Sequence, residues 1–489
     1  MENTFQPVET ALAPGDPSNP RNWPLWKRVT GSVLSITGAL SLTSANSIYV
    51  TAIPDVQLEF RKSLTKAIVP VTLFTIGLAL GPIVSASISE VYGRRQVYLI
   101  AFLGSIAFMA VAGSASNWIT LAMGRLFAGM LGGPLVAIVA GTLNDIWDPA
   151  RDSLGNAFFA LFAASLIWGT EVGPAIGQSI IDDTNTWRWT FWLPTIMLGV
   201  SCLFLLFPET YAPEIARKQL RRQGKQVLPR PSAAQAAKLA VGRPLHMLIV
   251  EPIIAPTSFI SSIALCVVFF FYIAFPMVFE QLYGFTQYET GLAFLSLFVG
   301  SVLGLVFMAG VNKVKHRKSQ HLLDEYGVTM QPEELLIPAM VGGVLLPVSL
   351  FWFAWTAYSD IHWVVPLLAG IPFGAAYFLV MLGWPLYKNA VYGPQFGASA
   401  LAAEGLMRYG LAAVVPLFSE PMVRNLGVHW AVSVAGFISL ALVPVPWVVL
   451  KVGPGLRKRS RYVPSSPDTS PRSSDVGLVT SNVSIKSEA

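Results

Sequence analysis

The sequence predicts an all-α membrane protein of twelve transmembrane helices in two six-helix halves, and three observations predict it. Of 489 residues, 53% are hydrophobic and only 12% charged, with a mean hydropathy of +0.56; a soluble protein carries roughly twice that charged fraction. Apolar runs long enough to cross a bilayer recur twelve times along the chain. A polar stretch, 208–252, divides those runs into six and six. The same composition excludes other classes. The net charge is +6, but the basic residues lie in short loops between apolar runs, which does not suit nucleic acid. Cys202 and Cys266 both sit in apolar runs, so there is no disulfide framework and no metal-ligand spacing. The histidines, His246, His316, His321, His362 and His429, are scattered at loops and span ends, which offers no enzyme site. No metal and no cofactor is expected.

Residues 1–28 are polar and Pro-rich, without a cleavable signal peptide, so the first span is expected to serve as the insertion signal. Trp23 and Trp26 beside Lys27 and Arg28 suit a cytoplasmic membrane interface. Apolar runs follow near 29–53, 67–88, 97–115, 118–142, 156–181 and 187–207, together a first bundle over 29–207. After the loop 208–252, six more lie near 253–279, 290–311, 337–357, 361–385, 397–419 and 429–450, a second bundle over 253–451. Two similar halves around a midplane site are the plan of many secondary transporters. The tail, 452–489, opens with Arg457, Lys458, Arg459 and Arg461, then turns rich in Ser and Pro, and is expected to be disordered. With both termini in the cytoplasm, about 26 of the 33 Lys and Arg lie on that side and about 5 outside, an asymmetry that sets orientation. Within the central loop, Pro208 to Lys225 reads either as an amphipathic basic helix on the inner membrane surface or as a solvated charged linker.

Charges inside the spans are few. In the fifth run, Gly169, Gly173 and Gly177 are spaced by four and share one helix face, where a neighbouring helix, expected from the partner half, can approach closely. Pro174 should kink or weaken that helix. Glu171 in the same stretch is a carboxylate in a membrane span, which is costly and normally faces a bundle interior or a watery cavity. Two readings stand for it: proton or cation handling, or a structural tie to a buried Arg or hydroxyl. Arg125 shares a face with Gly129 and Gly133 in the fourth run and needs a carboxylate or carbonyls. Glu404 and Arg408 are four apart in the eleventh run, the favourable order for an intrahelical pair; they read as a self-neutralised pair or as cavity groups. Arg125 and Arg408 are both open as counter-charges for Glu171. Asp145 reads as interfacial, Glu280 as exposed, and Trp352, Tyr377 and Trp384 as cavity, lipid-facing or core aromatics.

Between runs two and three, Ser87 to Tyr98 reads SISEVYGRRQVY. Glu90, Gly93, Arg94 and Arg95 at a cytoplasmic helix end suit an ion-paired latch between helix ends, or plain basic anchoring. SISEVYGRR resembles the loop motif of the major facilitator superfamily, with Glu90 for the usual aspartate and Ala86 for the opening glycine. GRLFAG, with Arg125 and Gly129, resembles the fourth-span motif. GTEVGPAIG, with Gly169, Gly173, Pro174 and Gly177, resembles the fifth-span antiporter motif, Gln178 standing where a glycine is usual. NPRNWPLWKR, NTWRWTFWLP and PETYAP extend the likeness to fungal twelve-span drug:proton antiporters of the polyamine, caffeine-resistance and toxin-efflux branch, over roughly residues 16–460. The loop DPARDS carries Arg151–Asp152 where Glu–Arg is usual, so its inner latch is expected to be wired in reverse.

The resemblance implies a major facilitator fold and a monomer, working in the plasma membrane on small molecules and protons within the lipid bilayer. No GxxxxGK[ST] phosphate loop points to ATP. A membrane potential of ~100 mV with about one pH unit supplies roughly 3.7 kcal/mol per proton. Glu171, Arg125, Glu404 and Arg408 are the candidate coupling and cavity residues, and Glu90, Gly93, Arg94, Arg95 and Asp145 the candidate latch. Three functions are open: a proton-coupled exporter of secondary metabolites, toxins or drugs; a polyamine exporter of the same fold; and a membrane receptor or scaffold.

Overall fold

The computed structural model describes residues 15–148, 152–224, 233–326 and 331–463. Apolar composition with few polar interruptions produces helices almost throughout, because a chain in hydrocarbon must satisfy its backbone internally. Among the described residues, eleven helical stretches are long and apolar enough to cross a membrane. The last of them, Phe396–Arg459, has 64 residues; at 1.5 Å per residue that is about 96 Å of helix, enough for two crossings of a ~30 Å core. It does cross back, because Gly427 adopts a positive φ of 74° and turns the chain there. The twelve crossings thus match the twelve apolar runs, with helix ends several residues beyond the runs.

The first span, Leu25–Ile48, packs on the fifth, Ser153–Thr184. The second, Leu64–Tyr92, packs on the fourth, Trp118–Ile146, and the third, Arg94–Gly113, on the fourth and on the sixth, which begins at Trp189. In the second half the seventh, Ile254–Phe275, and the ninth, Ile337–Thr356, pack on the segment Gly370–Leu442, which turns at Gly393 (φ 61°) and Gly427 (φ 74°) to give the tenth span, the eleventh and the start of the twelfth. The halves meet where the fifth span packs on the eighth and the second on that segment.

Prolines inside these helices remove backbone donors and orphan the carbonyl four residues earlier. The fold fills two such vacancies with aromatic side chains. Pro70 orphans the Lys66 carbonyl, and the Trp118 indole N–H donates to it at 2.8 Å. Pro174 orphans the Thr170 carbonyl, and the Tyr272 hydroxyl donates to it from the other half at 2.9 Å. The helix stays continuous through Pro174.

The ends are more built than the sequence suggests. The segment 452–463, expected within a disordered tail, continues the helix Val445–Arg459 and is pinned to its own half. Arg457 Nε lies 3.0 Å from Glu333 Oε1, and Glu251 accepts from Ser460 Oγ at 2.6 Å, Arg461 N at 3.0 Å and Tyr392 OH at 2.9 Å. Residues 464–489 lie outside the described ones. In the central loop, Ala212–Arg222 is a helix whose Gln219 donates to Asp16 Oδ2 and Ser18 Oγ of the N-terminal segment. Glu280, expected exposed, is half-buried, because the π-helical turn Pro276–Glu280 brings it against Thr290.

Candidate functional site

The fifth span puts its two faces to different uses. A Cβ on Gly169 would strike Thr43, one on Gly173 would strike Ser47, and one on Gly177 would meet Thr51 Oγ1 at 2.6 Å. The glycine face therefore packs on the first span within its own half, not on the partner half as expected. The close approach lets Ser47 Oγ donate to the Gly169 carbonyl at 2.6 Å. The other face meets the eighth span, and Glu171 lies on it. Glu171 is 0% exposed and accepts from Ser301 Oγ at 2.6 Å, a hydrogen bond from one half to the other. Its second oxygen, Oε1, is buried with no hydrogen-bond partner among the described residues. Toward one end of the same face, Gln178 Nε2 lies 3.4 Å from Gln287 Oε1, also across the halves.

Neither arginine proposed as its counter-charge pairs with Glu171. Arg125 is committed elsewhere: Nη1 donates to the Ala45 carbonyl at 2.9 Å, Nη2 to Asn46 Oδ1 at 2.9 Å, and Nε to the Pro70 carbonyl at 3.4 Å. The Phe74 and Tyr49 rings stand 4.1 and 4.9 Å from its guanidinium carbon. It binds the fourth span to the first and second.

Arg408 lies 3.8 Å from Glu404 Oε1 on its own helix. Glu404 does not form an isolated pair with it, however. Lys388, a residue the sequence reading did not single out, places Nζ 3.0 Å from Glu404 Oε2 and donates to Ser258 Oγ at 2.9 Å. Lys388 and Glu404 are both buried. The tenth apolar run ends near 385 in the sequence; the helix continues to Gly393 and carries Lys388 inside. Tyr377 is buried. Trp384 is buried as well, while Trp352 is 39% exposed on the outside of the bundle.

At the end carrying the basic loops, Gly93 turns the chain between spans two and three with φ 92°. A Cβ there would collide with the Glu209 carboxylate, so the position requires glycine twice over. Arg94 Nε lies 3.3 Å from Asp145 Oδ2, and Nη1 donates to Ser89 Oγ at 2.6 Å. The Arg95 side chain is exposed. The Glu90 side chain lies outside the described ones, as does Arg151. The residue missed here is Glu209 of PETYAP. It is buried and caps the third span, accepting from the backbone N–H of Arg94 at 2.9 Å and Arg95 at 3.2 Å, and from Thr210 and Tyr211 at 3.0 Å each. A carboxylate just after a span could have signalled a helix cap, but not which helix. Asp152 bonds Arg28 at 2.6 Å; the Asp148 backbone N–H and then Arg28 hold its carboxyl below the usual carboxylate range. At the opposite end, Trp187 and Arg188 of NTWRW together clamp Glu59, at 2.6 and 2.7 Å.

A family profile described as Major Facilitator Superfamily matches residues 34–416. The chain is 32% identical to "Efflux pump FUB11" of Gibberella moniliformis over 475 residues, covering 94% of this chain and 79% of that one. It is 30% identical to "Polyamine transporter 4" of Saccharomyces cerevisiae, covering 92% of this chain and 72% of that one. In three dimensions it resembles the proton:xylose symporter XylE bound to 6-bromo-6-deoxy-D-glucose, with a TM-score of 0.64, 15% identity, and coverage of 88% and 97% of the two chains.

Proposed function

The chain belongs to the major facilitator superfamily, and from that premise we propose that it exports amphipathic small molecules across the plasma membrane in exchange for protons, with both termini in the cytoplasm. It is a transporter rather than an enzyme. The observation that carries the proton half of the proposal is Glu171: buried, bonded across the two halves to Ser301, and without a cationic partner among the described residues. A carboxylate whose surroundings change as the halves rock can take a proton in one facing state and release it in the other. Oε1 is the oxygen where that proton would sit. Export by an efflux-pump relative supports the direction of transport. Arg94, Asp145, Glu209 and Gly93 would stabilise one end state of the cycle by tying helix ends together.

Transport into inside-out vesicles tests the reading. Glu171→Gln keeps the shape and is expected to retain the fold, to lose pH-driven accumulation by at least about tenfold, and to keep downhill exchange. The polyamine reading predicts a different result: the same variant would weaken transport of a cationic substrate and spare a neutral one. Unchanged pH-driven uptake of both would leave Glu171 as a structural tie to the Ser301 hydroxyl.

A further inference from the structure

The charged groups of spans ten and eleven are unequally partnered, and Arg408 has the weakest contacts. Glu404 is already met by Lys388, whose remaining polar contact is Ser258. Arg408 is then left with little. Glu404 Oε1 is 3.8 Å away, beyond hydrogen-bond length. Its Nη1 donates to the Met381 sulfur at 3.5 Å, a weak acceptor, and the Tyr409 ring stands 5.0 Å from its guanidinium carbon. A guanidinium carries five donors in a planar fork that matches a carboxylate. Held among buried groups with its strong acceptors already shared, it is costly unless something else uses it. Its side chain keeps 16% exposure although Glu404 and Met381 beside it are buried.

A second donor lies on the helix face that carries Met381. The Trp384 indole N–H is buried with no hydrogen-bond partner among the described residues. Trp384 follows Met381 by three residues and precedes Lys388 by four, so all three share one face of the tenth span. That face is opposed by Arg408 at Met381 and by Glu404 at Lys388.

We propose that Arg408 and the Trp384 N–H form an anion-binding subsite in the transport path, and that the exported compound carries a carboxylate on an otherwise apolar body. This rests on the export reading above. Lys388 is a positioning residue: by neutralising Glu404 it leaves the Arg408 guanidinium for the ligand. The buried Tyr377 ring offers an apolar wall for the rest of the molecule. The energetics agree in sign, since an organic anion leaving the cell and a proton entering both move charge in the direction an inside-negative potential favours. A cation such as a polyamine would meet the Arg408 guanidinium instead.

The test uses the full chain, purified and placed in liposomes, with naphthaleneacetate, its neutral amide naphthaleneacetamide, and spermidine as probes. Flux is measured under a pH gradient, and binding separately by quenching of tryptophan fluorescence. The acid is expected to bind and move at least about tenfold better than the amide, and spermidine least well. Arg408→Gln should erase the preference for acid over amide, and Arg408→Lys, which keeps the charge but not the fork, should retain part of it. Equal handling of acid and amide by the native chain overturns the subsite, as does a preference for spermidine, or an Arg408→Gln variant that lowers acid and amide in proportion. If no probe is moved but acid binding is present and lost in Arg408→Gln, the subsite stands and the export reading falls. Absence of acid binding in the native chain overturns the subsite.

Discussion

Two adjacent arginines at one helix end do different things. Arg94 ties Asp145 and Ser89 to the start of the third span, whereas Arg95 contributes its backbone N–H to Glu209 and leaves its side chain exposed. Arg94→Ala is therefore expected to slow transport and cost about 1–3 kcal/mol, because it strips a partly buried carboxylate of its partner. Arg95→Ala should stay within about 0.5 kcal/mol of the native chain. Thermal unfolding in detergent and transport rate at matched surface abundance separate the two. Arg125→Lys keeps a charge but cannot reach Ala45, Asn46 and Pro70 together, so it should lower stability by about 2–5 kcal/mol; an unchanged melting midpoint would show that charge alone suffices there. The sequence announced Arg125 as buried but not its partners. Carbonyls belong to every residue, so nothing in a one-dimensional pattern marks Ala45 and Pro70 as acceptors. Lys388 and Ser301 were invisible for a related reason: a lysine near a span end and a serine within a span are ordinary until the opposing helix is known.

Among the elements, the fifth span is the one whose local pattern says most and misleads once. Glycines at four-residue spacing do mark a close helix approach, but spacing does not say which helix approaches. The answer lies in the opposite surface: Glu171, Pro174 and Gln178 need the eighth and seventh spans, which leaves the glycines to the first. Gly173→Ala would drive a methyl into Ser47 and the Ile48 backbone. It is expected to reduce folded yield and melting temperature clearly. Gly199→Ala and Gly405→Ala are the controls, since nothing lies within 4 Å of a Cβ at either site; each should be neutral or stabilising by up to about 1 kcal/mol. If Gly173→Ala melts with the controls, the first and fifth spans can part without penalty. The other device of this span, a proline whose orphaned carbonyl is filled from the partner half, makes Tyr272 a link between the halves as well as a backbone repair.

At the scale of the whole molecule, composition and the count of apolar runs were enough for the architecture, because burial in lipid leaves so few alternatives. The ends of the runs were less legible. The hydrophobic criterion stopped the tenth at 385 and the twelfth at 450, while the helices go on through Lys388 and Arg457, whose charges are met by Glu404 and Glu333. Orientation follows from the basic loops: an epitope placed at residue 225 or 475 should become accessible only after the cell membrane is permeabilised, and labelling of either on intact cells would reverse the proposed sidedness. The turn at Gly393 has a further consequence, for synthesis. Spans ten and eleven end and begin within three residues of each other, at Gly393 and Phe396, so they leave the ribosome as one hairpin. A lone Lys or Glu entering the bilayer costs ~2.5–3.5 kcal/mol on insertion scales. Because Lys388 and Glu404 stand on facing arms of that hairpin, each reaches its opposite charge from the neighbouring segment of nascent chain. Neutralisation is thus a local event of membrane entry and does not wait for the remaining helices to assemble.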